Sequence, residues 1–234
     1  MSSKNRKLSY VVASIRSWHL AEFQNIKEEV EGNWHLIDDP LELTLENLER
    51  IKPRYIFFPH WSIKVPEEII ELYECVCFHS TDLPFGRGGS PIQNLIERGI
   101  ETTQITAFRM TKEFDAGPVY IKYPLSLNGL AEEIYIRSAK IISSMIQKIV
   151  TTEPIPIPQT GKATVFKRRT PTQSFITEEI NTLEQLFDFI RMLDADGYPL
   201  AKIQYNSFEI EFKQPAFRVN KIEAIVCIKK SNKS

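Results

Sequence analysis

The chain has 234 residues, 42% of them hydrophobic, which is enough to bury one good core and to leave room for a small second domain. Its 29 basic residues nearly balance its 30 acidic ones, so the formal net charge is −1. Such a balance provides no basic stripe to neutralise a long run of phosphates, and it argues against a nucleic-acid partner.

The cysteines and the N-terminal residues indicate the cellular compartment of the protein. Cys75, Cys77 and Cys227 are odd in number and have neither a metal-ligand nor a C-x-x-C spacing, so we predict a reducing cytoplasm and no metal site. The opening residues, MSSKNRK, lead into a short apolar run over Leu8–Ser14. That run is too brief for a signal peptide or a membrane span, so no membrane partner is expected.

The first predicted strand, Leu8–Ala13, is followed by a loop and by an amphipathic helix over Leu20–Val30. The loop lacks G-x-G-x-x-G, so dinucleotide binding of the Rossmann type is not expected. Arg16 suits a phosphate, Trp18 suits stacking on a base or sugar, and His19 lies beside them, which would fit a nucleotide-linked substrate. An equally weighted alternative is that Trp18 packs at the helix start and Arg16 is solvated.

Strands and helices then alternate along the chain. The predicted elements are the strand His35–Ile37, the helix Leu45–Ile51, the strand Tyr55–Pro59 and the helix Glu67–Tyr73. Because Tyr55–Pro59 is continuously apolar, it suits a strand that is covered on both faces. The alternation predicts an α/β fold with a mostly parallel sheet.

The stretch Cys75–Gly117 holds the residues best suited to chemistry. His79 follows an apolar run, at the point where a buried strand should stop, and a glycine-rich loop over Leu83–Gly89 comes next. Asp115 follows another predicted strand, Gln104–Met110. Side chains that leave the ends of two strands can meet in the crevice where α/β sheets bind ligands. The plain alternative is a hydrogen-bonded structural histidine and an ordinary turn aspartate, and spacing alone does not decide.

A proline-rich connector over Glu153–Gln159 predicts a domain boundary. Before it, a strand over Val119–Leu125 and a helix over Leu130–Val150 complete the first domain, residues 1–152. After it, residues 153–234 predict a small α+β or β-rich domain, with a helix over Leu183–Leu193 and strands at Ala201–Tyr205, Phe208–Phe212 and Ile222–Ile228.

The stretch Cys75–Gly117 resembles the signature of the formyltetrahydrofolate-dependent formyltransferases, the family that includes methionyl-tRNA formyltransferase. The family pattern is Asn-x-His, Leu-Pro, Arg-Gly, Pro-Ile-Gln and Asp-x-Gly, and the chain has its counterparts in that order at Cys77-Phe78-His79, Leu83-Pro84, Arg87-Gly88, Pro91-Ile92-Gln93 and Asp115-Ala116-Gly117. The TDLPFGRGGSP and MLDADGYP stretches resemble in particular the short sugar N-formyltransferases of nonulosonic (pseudaminic-type) acid gene clusters.

The resemblance implies a Rossmann-like formyltransferase domain, a C-terminal domain like a shortened one of methionyl-tRNA formyltransferase, and N10-formyltetrahydrofolate as co-substrate. It implies a pterin pocket between two loops, formed by Trp61, Ser62 and Ile63 and by Thr111, Lys112, Glu113 and Phe114. It also implies that Arg87 and Gly88 lie on the substrate side. An apolar, aromatic-bearing slot suits a flat heterocycle, although Trp61 as plain core remains an alternative.

For the chemistry, the resemblance implies that Asp115 is a base or orients His79, and that His79 acts as an acid and an oxyanion partner. The chain departs from the family at Cys77, where the family has asparagine. A thiol is a weak donor, so that role is vacant or moved. His60, at the end of a neighbouring strand, is the first candidate substitute, and Asn94 is the second.

The resemblance implies three alternative functions, and the absent basic stripe favours the first. The first is N-formylation of a nucleotide-linked amino sugar, such as a UDP-4-amino-4,6-dideoxy sugar of a pseudaminic-type pathway. The second is formylation of methionyl-tRNA. The third is a folate-binding protein that has lost catalysis through the change at Cys77.

Overall fold

The structure is a computed structural model that describes residues 7–231. The chain forms two compact units whose segments alternate in sequence. The first unit contains residues up to 87, 104–125 and 136–165, and the second contains 88–103, 126–135 and 166 onward. The boundary at residue 152 stays a prediction. Residues 1–6, on which the expectation about a signal peptide partly rests, lie outside the described part.

The strands follow the alternation that the sequence predicts. In chain order they are β1 (Ser9–Ala13), β2 (Asn33–Ile37), β3 (Pro53–Phe58), β4 (Cys75–His79), β5 (Arg87–Gly88), β6 (Thr102–Arg109), β7 (Val119–Ser126), β8 (Val165–Phe166), β9 (Ala201–Tyr205), β10 (Phe208–Arg218) and β11 (Lys221–Lys230). The helices are α1 (Ser17–Glu29), α2 (Leu45–Ile51), α3 (Glu67–Leu72), α4 (Pro91–Ile96), α5 (Ala131–Thr152) and α6 (Leu183–Arg191).

Six strands form the main sheet in the order β2-β1-β3-β4-β6-β7. Strand β1 pairs in parallel with β2 and β3, and β3 pairs in parallel with β4, while β6 runs antiparallel to β4. The expected α/β fold with a mostly parallel sheet is therefore confirmed. Because β1, β3 and β4 are parallel, the loops after them leave the same edge of the sheet.

The core of this sheet lies around β3. The side chains of Tyr55, Ile56, Phe57 and Phe58 are at most 1% exposed, as expected for a strand covered on both faces. Residues of β1, α2 and α3 pack with β3 in one hydrophobic cluster. The carboxyl ends of these strands are thereby held by a well-buried framework.

In the second unit, β9, β10 and β11 form an antiparallel sheet in the order β11-β10-β9. This confirms the expected β-rich C-terminal part. Strand β10 runs to Arg218, beyond the predicted end at Phe212, because a register shift between Lys213 and Ala216 absorbs Gln214 and Pro215. Proline is tolerated in strands at such irregularities.

Two findings concern ions and membranes. Among residues 7–231, no helix is both long and apolar enough to cross a membrane. Within the same described range, no group of three or more histidine, cysteine, aspartate or glutamate side chains is arranged to hold a metal ion.

Candidate active site

His79 is the last residue of β4, so the strand ends one residue later than the predicted end at Phe78. The residue is 8% exposed, and its Nε2 lies 2.8 Å from the carbonyl oxygen of Gly86. Because a carbonyl oxygen only accepts hydrogen bonds, this contact requires the proton on Nε2. In the neutral ring, the nitrogen with the lone pair is therefore Nδ1.

Asp115 lies beside that nitrogen. Its Oδ2 is 3.9 Å from Nδ1 of His79, and the side chain is 17% exposed. This distance is too long for a hydrogen bond and short enough for a strong charge interaction when the imidazole is protonated. The predicted meeting of the two side chains at one site is thus present in the structure.

The turn after β6 holds Asp115 in place. Asp115 has a φ of 53°, in the left-handed region that aspartate and asparagine enter more readily than most residues. At Gly117, a Cβ atom would lie 1.7 Å from the carbonyl oxygen of Arg109, so glycine is required. The Asp-x-Gly pattern therefore suits the backbone geometry of this turn.

Two buried threonines order the loop that follows His79. Thr106, opposite His79 in the β4–β6 register, is fully buried, and its hydroxyl donates to the carbonyl of Thr81 at 2.7 Å. The hydroxyl of Thr81 donates in turn to the carbonyl of Gly86 at 3.4 Å. These bonds fix the loop backbone that orients the imidazole.

Cys77 is near the carboxylate but is poorly suited to replace an asparagine. Its Sγ lies 4.0 Å from the carbonyl oxygen of Phe58, at the outer limit of a thiol hydrogen bond. Burial, and secondarily the negative charge of Asp115, raises the pKa of the Cys77 thiol. The group is a protonated, weak donor at neutral pH.

His60 follows β3 and belongs to a cluster with the residues after β1. Its ring centroid is 5.5 Å from that of Trp18 and 6.2 Å from that of His19. Burial lowers the pKa of His60 to about 3, with a further contribution from the charge of Arg16. Burial likewise lowers the pKa of His19 to about 3, with His60 as the second cause. Both imidazoles are neutral at pH 7, and the role of His60 as a substitute donor stays a prediction.

Helix α1 begins at Ser17, three residues before the predicted start. Arg16 is therefore the residue that precedes the helix, and Trp18 and His19 lie in its first turn rather than in a loop. Trp18 is 8% exposed and His19 is 4% exposed. The guanidinium carbon of Arg16 lies 5.8 Å from the Trp18 ring centroid, so these side chains pack together.

The first predicted pterin loop starts with a partly buried aromatic residue. Trp61 packs on the core cluster and meets Phe58 edge-on, with ring centroids 5.9 Å apart. Its indole Nε1 is buried and has no hydrogen-bond partner within residues 7–231. Ser62 and Ile63 are exposed. The indole of Trp61 therefore packs against the core, while its N–H group has no acceptor among the described residues.

The second predicted pterin loop is more open. Phe114 is 73% exposed, and the hydroxyl of Thr111 donates to the carbonyl of Glu113 at 3.0 Å. Lys112 pairs with Glu71 at 2.6 Å. This loop therefore has an internal hydrogen bond, an ion pair with α3 and a large exposed aromatic side chain.

Arg87 makes contacts that the sequence did not indicate. Its Nη1 donates to Oε1 of Glu113 at 3.2 Å, and its Nε and Nη2 donate to Oε1 of Gln159 at 3.2 and 2.9 Å. Gly88 has a φ of 99°, which requires glycine. Sequence reasoning missed Gln159, because it lies in the proline-rich segment that reads as a linker.

The chain is similar to several known proteins. A family model described as the C-terminal domain of methionyl-tRNA formyltransferase matches residues 171–229. A solved structure titled methionyl-tRNA formyltransferase from Clostridium thermocellum is 45% identical, with a TM-score of 0.93, over 96% of this chain and 100% of that chain.

Other relatives are more distant. The methionyl-tRNA formyltransferase of Thermotoga maritima is 35% identical over 115 residues, 46% of this chain and 37% of its own length. The chain spans about half the length of the curated relatives that it matches. A sugar N-formyltransferase from a Shewanella species shares the fold, with 15% identity and a TM-score of 0.69 over 91% of this chain and 99% of that chain.

Proposed function

The chain belongs to the formyltransferase family, and on that basis we propose that it transfers a formyl group from N10-formyltetrahydrofolate to a primary amine. The observation that carries the proposal is the 3.9 Å approach of Nδ1 of His79 to Oδ2 of Asp115. An acid–base pair of this kind suits acyl transfer, in which a proton leaves the attacking nitrogen and another reaches the leaving one.

The folate supplies an activated one-carbon acyl group and a nitrogen leaving group. In the proposed reaction the lone pair of the acceptor amine forms the new C–N bond, and the bond to the folate nitrogen breaks. Asp115 takes up the proton lost by the amine. His79 in its protonated form donates from Nδ1, first to the developing negative charge on the formyl oxygen and then toward the departing nitrogen.

Residues of the two predicted pterin loops are compatible with a bound pterin. The buried indole Nε1 of Trp61 has no partner within the described residues, and a heterocycle with carbonyl or ring-nitrogen acceptors would satisfy it. Ile63, 43% exposed, and Phe114, 73% exposed, are apolar groups that a flat ligand would cover.

We propose the aminoacyl group of methionyl-tRNA as the first acceptor. The 45% identical relative over the whole of its length has that name, and the matched C-terminal family model has it as well. The near-neutral charge, which argues against a nucleic-acid partner, does not outweigh this similarity. An aminoacyl-tRNA acceptor would present its amine to His79 and Asp115 at the end of a long polyanion.

The second candidate acceptor is the amine of a nucleotide-linked amino sugar. The observation that favours it is the balance of 29 basic and 30 acidic residues, which provides little attraction for a long polyanion. Neighbours of the same fold are named sugar N-formyltransferases, although their identity is only 14–15%.

One assay compares the acceptors. The protein is incubated with N10-formyltetrahydrofolate and either methionyl-tRNA or a UDP-4-amino-4,6-dideoxy sugar, and formyl product is measured by mass at 50 and 200 mM salt. We expect product with methionyl-tRNA and a steep fall with salt. Product from the sugar alone, with little salt dependence, would support the second candidate.

Absence of product with both acceptors would contradict the enzymatic proposal. If the folate nevertheless raised the melting temperature under those conditions, the third function from the sequence, a folate-binding protein without catalysis, would be supported. Neither product nor thermal protection would contradict folate recognition as a whole.

A further inference from the structure

We propose that the segment from Gln159 to Thr164 positions the catalytic pair: Gln159 sets the backbone of Asp115, and Thr164 sets the Gly86 carbonyl that orients His79. This rests on the proposed function for its consequence in catalysis. The contacts themselves concern only the geometry of the first unit, and they make the segment a part of the active site rather than a linker.

The amide of Gln159 is fully used. Its Nε2 donates to the carbonyl oxygens of Asp115 and Gly117, each at 2.8 Å. Its Oε1 accepts from Nε and Nη2 of Arg87. One planar side chain thereby joins the turn that holds the proposed catalytic carboxylate to the Arg-Gly loop.

Thr164 holds the other half of the pair. Its hydroxyl accepts from the backbone N–H of Gly86 at 2.7 Å, and its own backbone N–H donates to the carbonyl of Pro84 at 3.1 Å. The backbone N–H of Arg87 donates to the carbonyl of Thr164 at 2.9 Å. Three bonds thus fix the turn whose Gly86 carbonyl accepts from His79 at 2.8 Å.

The segment is itself anchored. Val119 and Ile157 exchange two backbone hydrogen bonds, at 2.7 and 2.8 Å, so the chain enters the segment paired with the start of β7. Gly161, with a φ of 102°, provides the turn between Gln159 and Thr164. Because backbone hydrogen bonds hold the segment at Ile157 and at Thr164, it can fix the positions of two loops at once.

Precise placement matters here because separate segments hold the two side chains: His79 ends strand β4, and Asp115 lies in the turn between β6 and β7. A displacement of about 1 Å in a catalytic group can cost about a hundredfold in rate. Loss of either anchor should therefore lower kcat and leave substrate affinity largely unchanged, because Gln159 contacts the backbone of Asp115, Thr164 contacts Gly86, and neither contacts the reacting atoms.

The first test is Gln159→Glu, with Gln147→Glu on α5 as the charge-matched control. A carboxylate at position 159 still accepts from Arg87 but cannot donate to the carbonyls of Asp115 and Gly117. We expect kcat to fall at least tenfold while the KM for folate changes less than threefold. The control should stay within twofold of the unchanged protein. Equal kcat in Gln159→Glu and in the control would overturn the role of Gln159.

The second test uses the pair Thr164→Val and Thr164→Ser in protein with ¹⁵N-labelled histidine. In the unchanged protein the Nε2 proton of His79 should exchange slowly, because Gly86 accepts it. We expect Thr164→Val to speed that exchange at least tenfold and to lower kcat, and Thr164→Ser to preserve both. An unchanged resonance in Thr164→Val would overturn the role of Thr164.

The spectroscopic test separates this proposal from the proposed function. If the unchanged protein transferred no formyl group but Thr164→Val still altered the His79 signal, the positioning role would stand and the assigned reaction would fail. If transfer occurred and both anchors could be removed without effect on the rate or on the His79 resonance, the positioning role would be contradicted and the proposed function would stand.

Discussion

His79 presents Nδ1 to Asp115 because its Nε2 is bonded to the carbonyl of Gly86. This relationship selects the tautomer of the neutral imidazole and leaves the nitrogen nearest the carboxylate available for proton transfer. The other tautomer, with the proton on Nδ1, would direct an N–H donor toward Asp115 and would leave the Gly86 carbonyl without a hydrogen bond from Nε2. The loop between β4 and β5 therefore determines which ring nitrogen of His79 faces Asp115.

The buried thiols should be unreactive in the native protein. Cys75 is 1% exposed, and burial raises its pKa to about 12, while burial and the charge of Asp115 raise the pKa of Cys77. Because the thiolate is the reactive species, an aromatic disulfide reagent at pH 8 should modify Cys227 first. Peptide mass mapping would check this, with full modification in denaturant as the control. Native labelling of Cys77 as fast as Cys227 would contradict the structure.

His19 should make the protein less stable in acid. Burial lowers its folded-state pKa from 6.5 to about 3, so the unfolded chain binds the proton more strongly between these values. The contribution of neutral His19 to the unfolding free energy is complete above pH 6.5. As the pH falls from 6.5 toward 3, the unfolding free energy decreases by about 1.4 kcal/mol per pH unit.

Replacement by a side chain that does not titrate should remove this dependence. In His19→Gln, the slope of unfolding free energy against pH between 4 and 6 should be shallower than in the unchanged protein by about one proton. Urea unfolding at several pH values measures both slopes, with His35→Gln, at a half-buried position, as the control. Parallel slopes for the unchanged protein and His19→Gln would refute the assignment of a buried neutral imidazole.

Ser14 should stabilise the edge of the sheet. The residue is fully buried, and its hydroxyl donates to the carbonyl of Pro59 at 2.9 Å, which joins the loops after β1 and β3. Ser14→Ala leaves that carbonyl without this donor and should cost about 1–2 kcal/mol of unfolding free energy. The exposed Ser144→Ala on α5 is the control and should change stability by less than about 0.5 kcal/mol. Equal stabilities of the two variants would contradict this account.

Much of the fold was accessible from the sequence because the local signals agreed. Helix α2 and strand β9 have the predicted bounds, since the first has an N-cap at Thr44 and ends before a proline, and the second alternates cleanly. Strand β10 was cut short in the prediction. Gln214-Pro215 reads as a strand end, and only pairing with β11 reveals that the chain continues after an irregularity.

The candidate site was accessible only in part. His79 and Asp115 come from strand ends that the hydrophobic pattern locates, and the resemblance to a known family joined them. The contacts of Gln159 and Thr164 join residues 42 to 80 positions apart, and no local periodicity in the sequence indicates them. Proline-rich composition also favoured a linker there, and tertiary hydrogen bonding decided otherwise.

The most direct test of the central claim is the single-turnover rate of formyl transfer in Asp115→Asn. Asparagine tolerates the left-handed backbone at this position, so the change removes charge with little strain. Exposed Asp38→Asn is the matched control. We expect a fall of about 10²–10⁴-fold in Asp115→Asn, with folate affinity and melting temperature close to those of the control. A rate within threefold of the control would contradict the assignment of His79 and Asp115 as the catalytic pair.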